Sequence, residues 1–280
     1  RATTARSTID VFFVVDLTGS MAAEDYLDGA TRLSGATADV VQITEAFPSA
    51  RYSVIGWDSQ STVRLPLTTA ANAVISWADT APQELTAYSS GSQLDRPLDQ
   101  LTQAVTGAAE RHPEDVRLVY FLSDGENTDG SGSSADAVLA TYEGLAPYVD
   151  GGAVLGYGTD DGGPMRRYDL GVDPAESEYI TDVDGSVAIS RIDEQTLRTI
   201  AGQLGVSYAH RTNPGNIGAL VGGVDAELGL GCARRSAPLE PRELLAQQVL
   251  SLGLGRGGDA WGRCGGALRR CSERAAQERL

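Results

Sequence analysis

The sequence predicts an α/β fold: a doubly wound, mostly parallel central sheet flanked by helices, with one antiparallel edge strand. Short apolar runs such as residues 11–15 and 116–122 are rich in β-branched and aromatic residues, which is typical of strands buried on both faces. Segments with apolar residues at helical spacing lie between these runs. Because strands that alternate with helices indicate parallel pairing, we expect one large sheet with helices on both faces.

The individual elements follow from the same two patterns. The predicted strands are residues 11–15, 51–57, 61–65, 116–122, 152–157 and 206–209. The predicted helices are about residues 28–47, 65–77, 95–111, 134–148, 192–201 and 213–221. Pro97 is expected in the first turn of its helix, and Asp193 is expected to be an N-cap.

We divide the chain into a lead-in (residues 1–8), one domain (9–230) and a tail (231–280). Residues 159–192 form an insertion with a hairpin, because Asp184-Gly185 has turn chemistry and a calcium loop would need a glutamate that is absent at the required spacing. The tail is rich in Arg and Gly, contains all three cysteines and is expected to be partly disordered. Its composition leaves the cysteine pairing open.

Composition excludes several classes of function. The net charge of −16 argues against nucleic acid and anionic lipid as partners, since both require a cationic surface. The chain has no lysine, which excludes a phosphate-binding lysine loop and Schiff-base chemistry. Its two histidines, His112 and His210, lie outside any catalytic or zinc-binding pattern. No run of about 18 apolar residues occurs, so the chain itself is expected to be soluble.

Side chains with oxygen atoms follow the first strand at alternate positions. Asp16, Thr18 and Ser20 place one carboxylate and two hydroxyls on a tight turn that contains Gly19. Oxygen ligands of this kind suit a hard divalent cation such as Mg²⁺ or Ca²⁺. The alternative is a polar loop that only caps the next helix, because Thr and Ser are common N-cap residues.

The two strand ends together resemble a known family. A buried strand that ends in Asp-x-Thr-Gly-Ser-Met, followed far downstream by one that ends in Ser123-Asp124-Gly125, resembles the von Willebrand factor A family with its metal-ion-dependent adhesion site. Further segments look like the bacterial aerotolerance-type (Bat-like) members of that family, over roughly residues 8–225. These segments are residues 20–25, 32–33, 65–68, 121–126 and 182–197.

The resemblance implies a set of metal ligands. Asp16, Thr18 and Ser20 match the first motif, with Thr18 in place of a serine, and Asp124 matches the aspartate of the third loop. Ser92 falls where the family has a threonine, and Ser90 is the alternative if the alignment is shifted by two residues. The implied cofactor is a divalent cation, with Mg²⁺ expected first and Mn²⁺ or Ca²⁺ as alternatives.

The implied function is adhesion and not catalysis. The cation would bind an Asp or Glu carboxylate from a partner protein, and no small-molecule substrate is expected. Members of this family usually carry membrane helices beside the domain and lie on the extracytoplasmic side of the bacterial envelope, whereas this chain encodes no such helix. Two other functions stay open: an A domain whose metal site only stabilises it, and a metal-dependent hydrolase.

Overall fold

The computed structural model describes residues 8–89, 91–128, 142–215, 217–218 and 221. Within these residues, six strands form one sheet in the order β3-β2-β1-β4-β5-β8, and two short strands, β6 and β7, pair separately. The strands are β1 (Ile9–Asp16), β2 (Arg51–Trp57), β3 (Ser61–Thr68), β4 (Val116–Ser123), β5 (Gly151–Tyr157), β6 (Gly163–Pro164), β7 (Ile189–Ser190) and β8 (Ser207–Arg211). In the large sheet only β3 pairs antiparallel, which confirms the predicted fold class.

The described part of the chain contains α1 (Arg32–Ala46), α2 (Ala71–Asp79), α3 (Leu98–Arg111) and α4 (Glu194–Leu204). Short 3₁₀ segments occur at Gly19–Ala22, Leu27–Gly29, Thr86–Tyr88, Tyr142–Tyr148 and Pro174–Glu176. Asp193 caps α4 as predicted, since its side chain accepts a hydrogen bond from the Thr196 amide. None of the described helices is long and apolar enough to cross a membrane.

The sheet separates two apolar core layers. Strand β1 contributes to both of them: Val11, Phe13 and Val15 pack on one side, and Phe12 and Val14 on the other. Helices α1 and α2 cover the first face, and α3 and α4 cover the second. This two-sided burial explains why β1 has no polar residue between Val11 and Val15.

The predicted helix at residues 65–77 begins in the wrong place. Leu65 and Thr68 belong to β3, where they pair with Val54 and Tyr52 of β2. Pro66 is tolerated there because β3 lies at the edge of the sheet, where a missing amide hydrogen leaves no partner unpaired. The local apolar pattern favoured a helix, but pairing with β2 extends the strand, and the helix starts only at Ala71.

Other boundaries differ by a few residues. Helix α1 starts at Arg32 and not at 28, because Asp28 has a positive φ of 55° inside a 3₁₀ turn and Thr31 provides the cap. Helix α3 starts at Leu98, so Pro97 is its N-cap and not part of its first turn. The hairpin in the insertion is present: Thr181 and Val187 pair antiparallel.

Several predictions fall wholly or partly outside the described residues. They are the lead-in, residues 134–141 of the helix predicted at 134–148, part of the helix at 213–221, and the tail with its cysteines. Residues 142–148 of the predicted 134–148 helix form a 3₁₀ segment and not an α-helix, and Pro147 lies within it.

Candidate metal centre

The candidate centre lies where the connections leave the sheet in opposite directions. Asp16 ends β1, and Asp124 follows β4, the parallel neighbour of β1. The chain passes from β1 to β2 on one side of β1, whereas β4 lies on its other side. A crevice opens at such a point at the carboxyl ends of the strands, which is the usual ligand position in open α/β sheets.

Asp16 is fully buried and accepts three hydrogen bonds. Its Oδ1 accepts from the Thr18 amide at 3.0 Å and from the Thr18 hydroxyl at 2.6 Å, and its Oδ2 accepts from the Ser123 hydroxyl at 2.7 Å. The Thr18 and Ser20 hydroxyl oxygens lie 3.1 Å apart. The three residues predicted from the first motif therefore converge, as the alternate spacing requires.

Glu84 holds the same loop from the outside. Its amide donates to the Leu17 carbonyl at 2.9 Å, and its Oε2 accepts from the Gly19 amide at 3.1 Å. The side chain is buried, and its second oxygen, Oε1, has no hydrogen-bond partner in the part of the chain that the structure describes. The conformation of the turn between Thr18 and Ser20 is thus fixed by a carboxylate 65 residues away.

Ser92 lines the same cavity as Thr18 and Ser20. Its backbone is fixed by Thr128, whose hydroxyl accepts from the Ser92 amide at 3.1 Å and whose own amide donates to the Ser92 carbonyl at 2.6 Å. The Ser92 side chain is only 3% exposed, yet among the described residues its hydroxyl has no hydrogen-bond partner. A buried hydroxyl without a partner costs free energy, so a ligand at this position would satisfy it. The alternative residue, Ser90, lies outside the described residues.

Asp124 is fully buried and shares a guanidinium with Asp25. Arg32 donates to Asp124 Oδ2 at 2.8 Å through Nη1, and to the two oxygens of Asp25 at 2.7 and 2.8 Å through Nε and Nη2. The same guanidinium also donates to Ser190 in the insertion. The other oxygen of Asp124 accepts from the Glu126 amide at 3.0 Å. Arg32 therefore joins α1, the third loop and the insertion.

The carboxylates carry more negative charge than Arg32 alone offsets. Burial and, next, the charge of Asp124 together raise the pKa of Asp16 to about 7, although the hydrogen bonds from Thr18 and Ser123 act in the opposite direction. Burial, followed by the charge of Asp124, likewise raises the pKa of Glu126 to about 7. A bound cation would remove this repulsion and favour the ionised forms.

A cavity of about 170 Å³ opens over this group. Its lining is Thr18, Gly19, Ser20, Ser89, Gly91, Ser92, Glu126, Thr128, Met165 and Ile180. Asp16 and Asp124 do not line the cavity themselves. Each accepts a hydrogen bond from a residue that does: Asp16 from the Thr18 hydroxyl and Asp124 from the Glu126 amide. The polar part of the lining therefore comes from hydroxyl groups and Glu126, and not from Asp16 or Asp124.

The donor set fits a hard cation held largely by neutral oxygens. In the described residues, no three His, Cys, Asp or Glu side chains form a cluster that can hold a metal ion, so any ion at this position depends on the hydroxyls. The unpartnered Ser92 hydroxyl and the repelling carboxylates fit an oxygen-ligated ion such as Mg²⁺, Mn²⁺ or Ca²⁺.

Sequence reasoning missed four residues of the centre. Ser123 and Glu126 lie close to Asp124 in sequence, and the predicted end of the strand near Ser123 could have indicated that both belong to the site. Arg32 and Glu84 act across 92 and 65 residues of sequence, and no local pattern indicates either contact.

Comparisons with known proteins agree with the fold. Residues 11–126 match the family model described as von Willebrand factor type A domain. No curated protein sequence shows significant similarity to the chain.

Several solved structures share the fold at low sequence identity. The BatB protein of Bacteroides thetaiotaomicron is 18% identical with a TM-score of 0.63, and the match covers 80% of this chain and 99% of that one. An aerotolerance-related membrane protein of Bacteroides fragilis is 18% identical with a TM-score of 0.56, covering 79% of this chain and 98% of that one. A von Willebrand factor type A protein of Catenulispora acidiphila is 16% identical with a TM-score of 0.51, and the match covers 81% of this chain and 44% of that one.

Proposed function

Because this chain contains a von Willebrand factor type A domain, we propose that it is a protein-binding module that holds a divalent cation and binds a partner's carboxylate through it. Domains of this family are usually non-catalytic binding modules that mediate contacts between proteins. The proposal assigns the ion to Asp16, Thr18, Ser20, Ser92 and Asp124.

The observation that carries the proposal is the Ser92 hydroxyl. It is buried in the same cavity as the Thr18 and Ser20 hydroxyls and has no partner among the described residues. The Thr18 hydroxyl bonds Asp16, and the Ser20 hydroxyl lies within hydrogen-bond distance of Thr18. A loop that only capped a helix would not explain a third buried hydroxyl supplied by a distant segment. Thr18 at the N-cap of the Gly19–Ala22 turn also makes no capping bond through its side chain.

Neutral ligands suit a site that recognises an anion. When bound, the cation would supply a positive charge that attracts a carboxylate, because hydroxyls leave most of that charge uncompensated. The Thr18 hydroxyl donates its hydrogen to Asp16, which leaves the oxygen lone pairs of Thr18 available to a cation. Arg32 offsets part of the charge on Asp124. The cavity gives a single carboxylate side chain room to approach.

The two other functions are less well supported. A hydrolase would need an acid or base together with a bound nucleophile: Glu126 lines the cavity, but neither histidine does, and His210 instead contacts the Gly158 carbonyl at 2.7 Å. No cluster of acidic side chains that could hold a second metal occurs among the described residues. A purely stabilising ion would not need an open cavity above the hydroxyls. We also propose a place on the extracytoplasmic face of the bacterial envelope, as the resemblance to the Bat-like proteins implies; one structural relative is described as a membrane protein.

The test is retention of envelope proteins by the immobilised chain, with Mg²⁺ or with EDTA. Wild-type protein and the control Asp79→Ala, an exposed residue of α2, should retain a partner only with Mg²⁺. Asp16→Ala should retain none under either condition. Retention that survives both EDTA and Asp16→Ala would place the partner elsewhere on the domain. Phosphatase turnover with Mg²⁺ or Mn²⁺ that Asp16→Ala abolishes would favour the hydrolase.

A further inference from the structure

One wall of the cavity is apolar and comes from the insertion. Met165 and Ile180 line the same cavity as the hydroxyl groups of Thr18, Ser20 and Ser92. Both apolar side chains are partly exposed, whereas the apolar side chains of β1 are buried. Burial in the core therefore does not account for their position, and a ligand in the cavity would contact both oxygen and hydrocarbon.

The apolar wall is fixed to the loop that follows the metal motif. Met165 pairs antiparallel with Ala23, and the Met165 carbonyl accepts from the Ile180 amide at 2.9 Å. Arg166 donates to Glu24 at 2.8 Å and to the Tyr179 hydroxyl at 2.7 Å, and its guanidinium carbon lies 4.2 Å from the centre of the Tyr179 ring. The wall is therefore preorganised, which lowers the entropy that binding would cost.

Two large exposed side chains lie close in sequence to a contact between the insertion and the loop before Ser92. The insertion also pairs with the loop that leads to Ser92, because the Thr86 amide donates to the Tyr168 carbonyl at 3.0 Å and the Thr86 hydroxyl accepts from the Tyr168 amide at 2.8 Å. Two residues further along the two segments are Tyr88, 70% exposed, and Leu170, 82% exposed. Exposed large apolar side chains of this kind are typical of an interaction surface.

We propose that this wall, formed by Met165 and Ile180, selects a protein segment in which the metal-binding Asp or Glu is flanked by apolar residues. The inference rests on the proposed function, since the carboxylate is assumed to reach the cation. The acidic surroundings of the cavity repel a carboxylate unless a cation is bound, and every acidic segment would meet that same cation. Charge therefore contributes little to the choice among acidic segments. Contact with the wall distinguishes an apolar neighbour from a polar one.

The experiment titrates two peptides, acetyl-Leu-Glu-Leu-amide and acetyl-Ser-Glu-Ser-amide, into the full isotope-labelled chain with Mg²⁺. Amide chemical shifts give the dissociation constants. The leucine peptide should bind about tenfold more tightly, a difference of about 1.4 kcal/mol. Met165→Ser and Ile180→Ser should each reduce that preference to about twofold, while Met165→Leu should retain it. Val183→Ser is the matched control, because Val183 belongs to the same insertion but is fully exposed and does not line the cavity.

The outcomes separate the two proposals. If both peptides bind equally, and Asp16→Ala or EDTA abolishes both, the wall has no selective role and the proposed function stands. If Met165→Ser and Val183→Ser change the preference equally, the selective surface is not the wall. If neither peptide binds in a Mg²⁺-dependent way at about 20 mM, both proposals fail.

Discussion

Replacing Arg32 with methionine should destabilise the domain by about 3–5 kcal/mol. The guanidinium is fully buried and forms ion pairs with Asp25 at 2.7 Å and Asp124 at 2.8 Å. Methionine fills much of the same volume but leaves two acidic side chains without their cation, and breaking a buried pair by removing one partner typically costs this much. For a domain of this size, the melting temperature should fall by about 6–20 °C.

Urea unfolding followed by circular dichroism in EDTA measures the effect directly. Arg198→Met is the matched control: Arg198 is about half exposed and pairs with Glu194 on the surface of α4, so its loss should cost less than about 1 kcal/mol. A cost for Arg32→Met below about 1 kcal/mol would refute the view that this residue connects the site to the fold.

The same comparison has a defined pH dependence. Burial alone would raise the pKa of Asp25, but the hydrogen bonds and charge of Arg32 outweigh it and lower the pKa from its ordinary 3.8. A lowered pKa means that the ion pair stabilises the fold fully above the unfolded value and loses this effect as pH falls through the folded value. The difference between wild type and Arg32→Met should therefore shrink below about pH 4, and a difference that grew there would contradict the assignment.

Four further predictions follow. Mg²⁺ or Mn²⁺ at about 100 times its dissociation constant should stabilise the metal-stripped protein by about 2.7 kcal/mol, and Asp16→Ala should remove this effect while the fold remains. Ser92→Ala should weaken cation binding by about tenfold in calorimetric titration, whereas Ser89→Ala, which removes a more exposed hydroxyl of the same cavity, should change it less. Gly125→Ala should destabilise the protein by more than about 2 kcal/mol, because Gly125 has a φ of 78° and a Cβ there would lie 2.4 Å from the Asp193 carbonyl oxygen. Truncation after Gly231 should leave the melting temperature almost unchanged, since the tail offers no sustained apolar face.

Each of these has a contradicting result. Melting curves that coincide with and without EDTA, or equal losses for Ser92→Ala and Ser89→Ala, would argue against the assigned ligands. A Gly125→Ala protein as stable as wild type would mean that the third loop can shift without cost. A fall of many degrees on truncation would show that the tail packs on the domain.

The first motif was predictable because its ligands are adjacent in sequence. Asp16, Thr18 and Ser20 lie on one turn, so alternate spacing at a strand end is enough to bring their oxygens together. Asp124 was accessible by the same argument, since a second buried strand ends beside it. Ser92 came only from the family resemblance, and the structure brings it into the cavity with Thr18 and Ser20.

What the sequence did not reveal depends on distant partners. The ion pair of Arg32 with Asp124 spans 92 residues, and an arginine in the first turn of a helix has no local feature that marks it as buried. For the same reason Leu65 was wrongly predicted to start a helix. Its strand conformation depends on pairing with Val54 of the neighbouring strand, which the residues around Leu65 do not indicate. Local patterns thus predicted the strands of the sheet and the first loop, whereas the contacts that support the loop required the folded chain.

The most direct test of the central claim is the anomalous diffraction of Mn²⁺ in crystals of the full chain. The account predicts one peak at the cavity floor, within about 2.0–2.6 Å of the Ser20 and Ser92 hydroxyl oxygens, and no peak there in Asp16→Ala crystals. A wild-type protein without a peak at this position, or an ion bound elsewhere while Ser92 stays unligated, would contradict it.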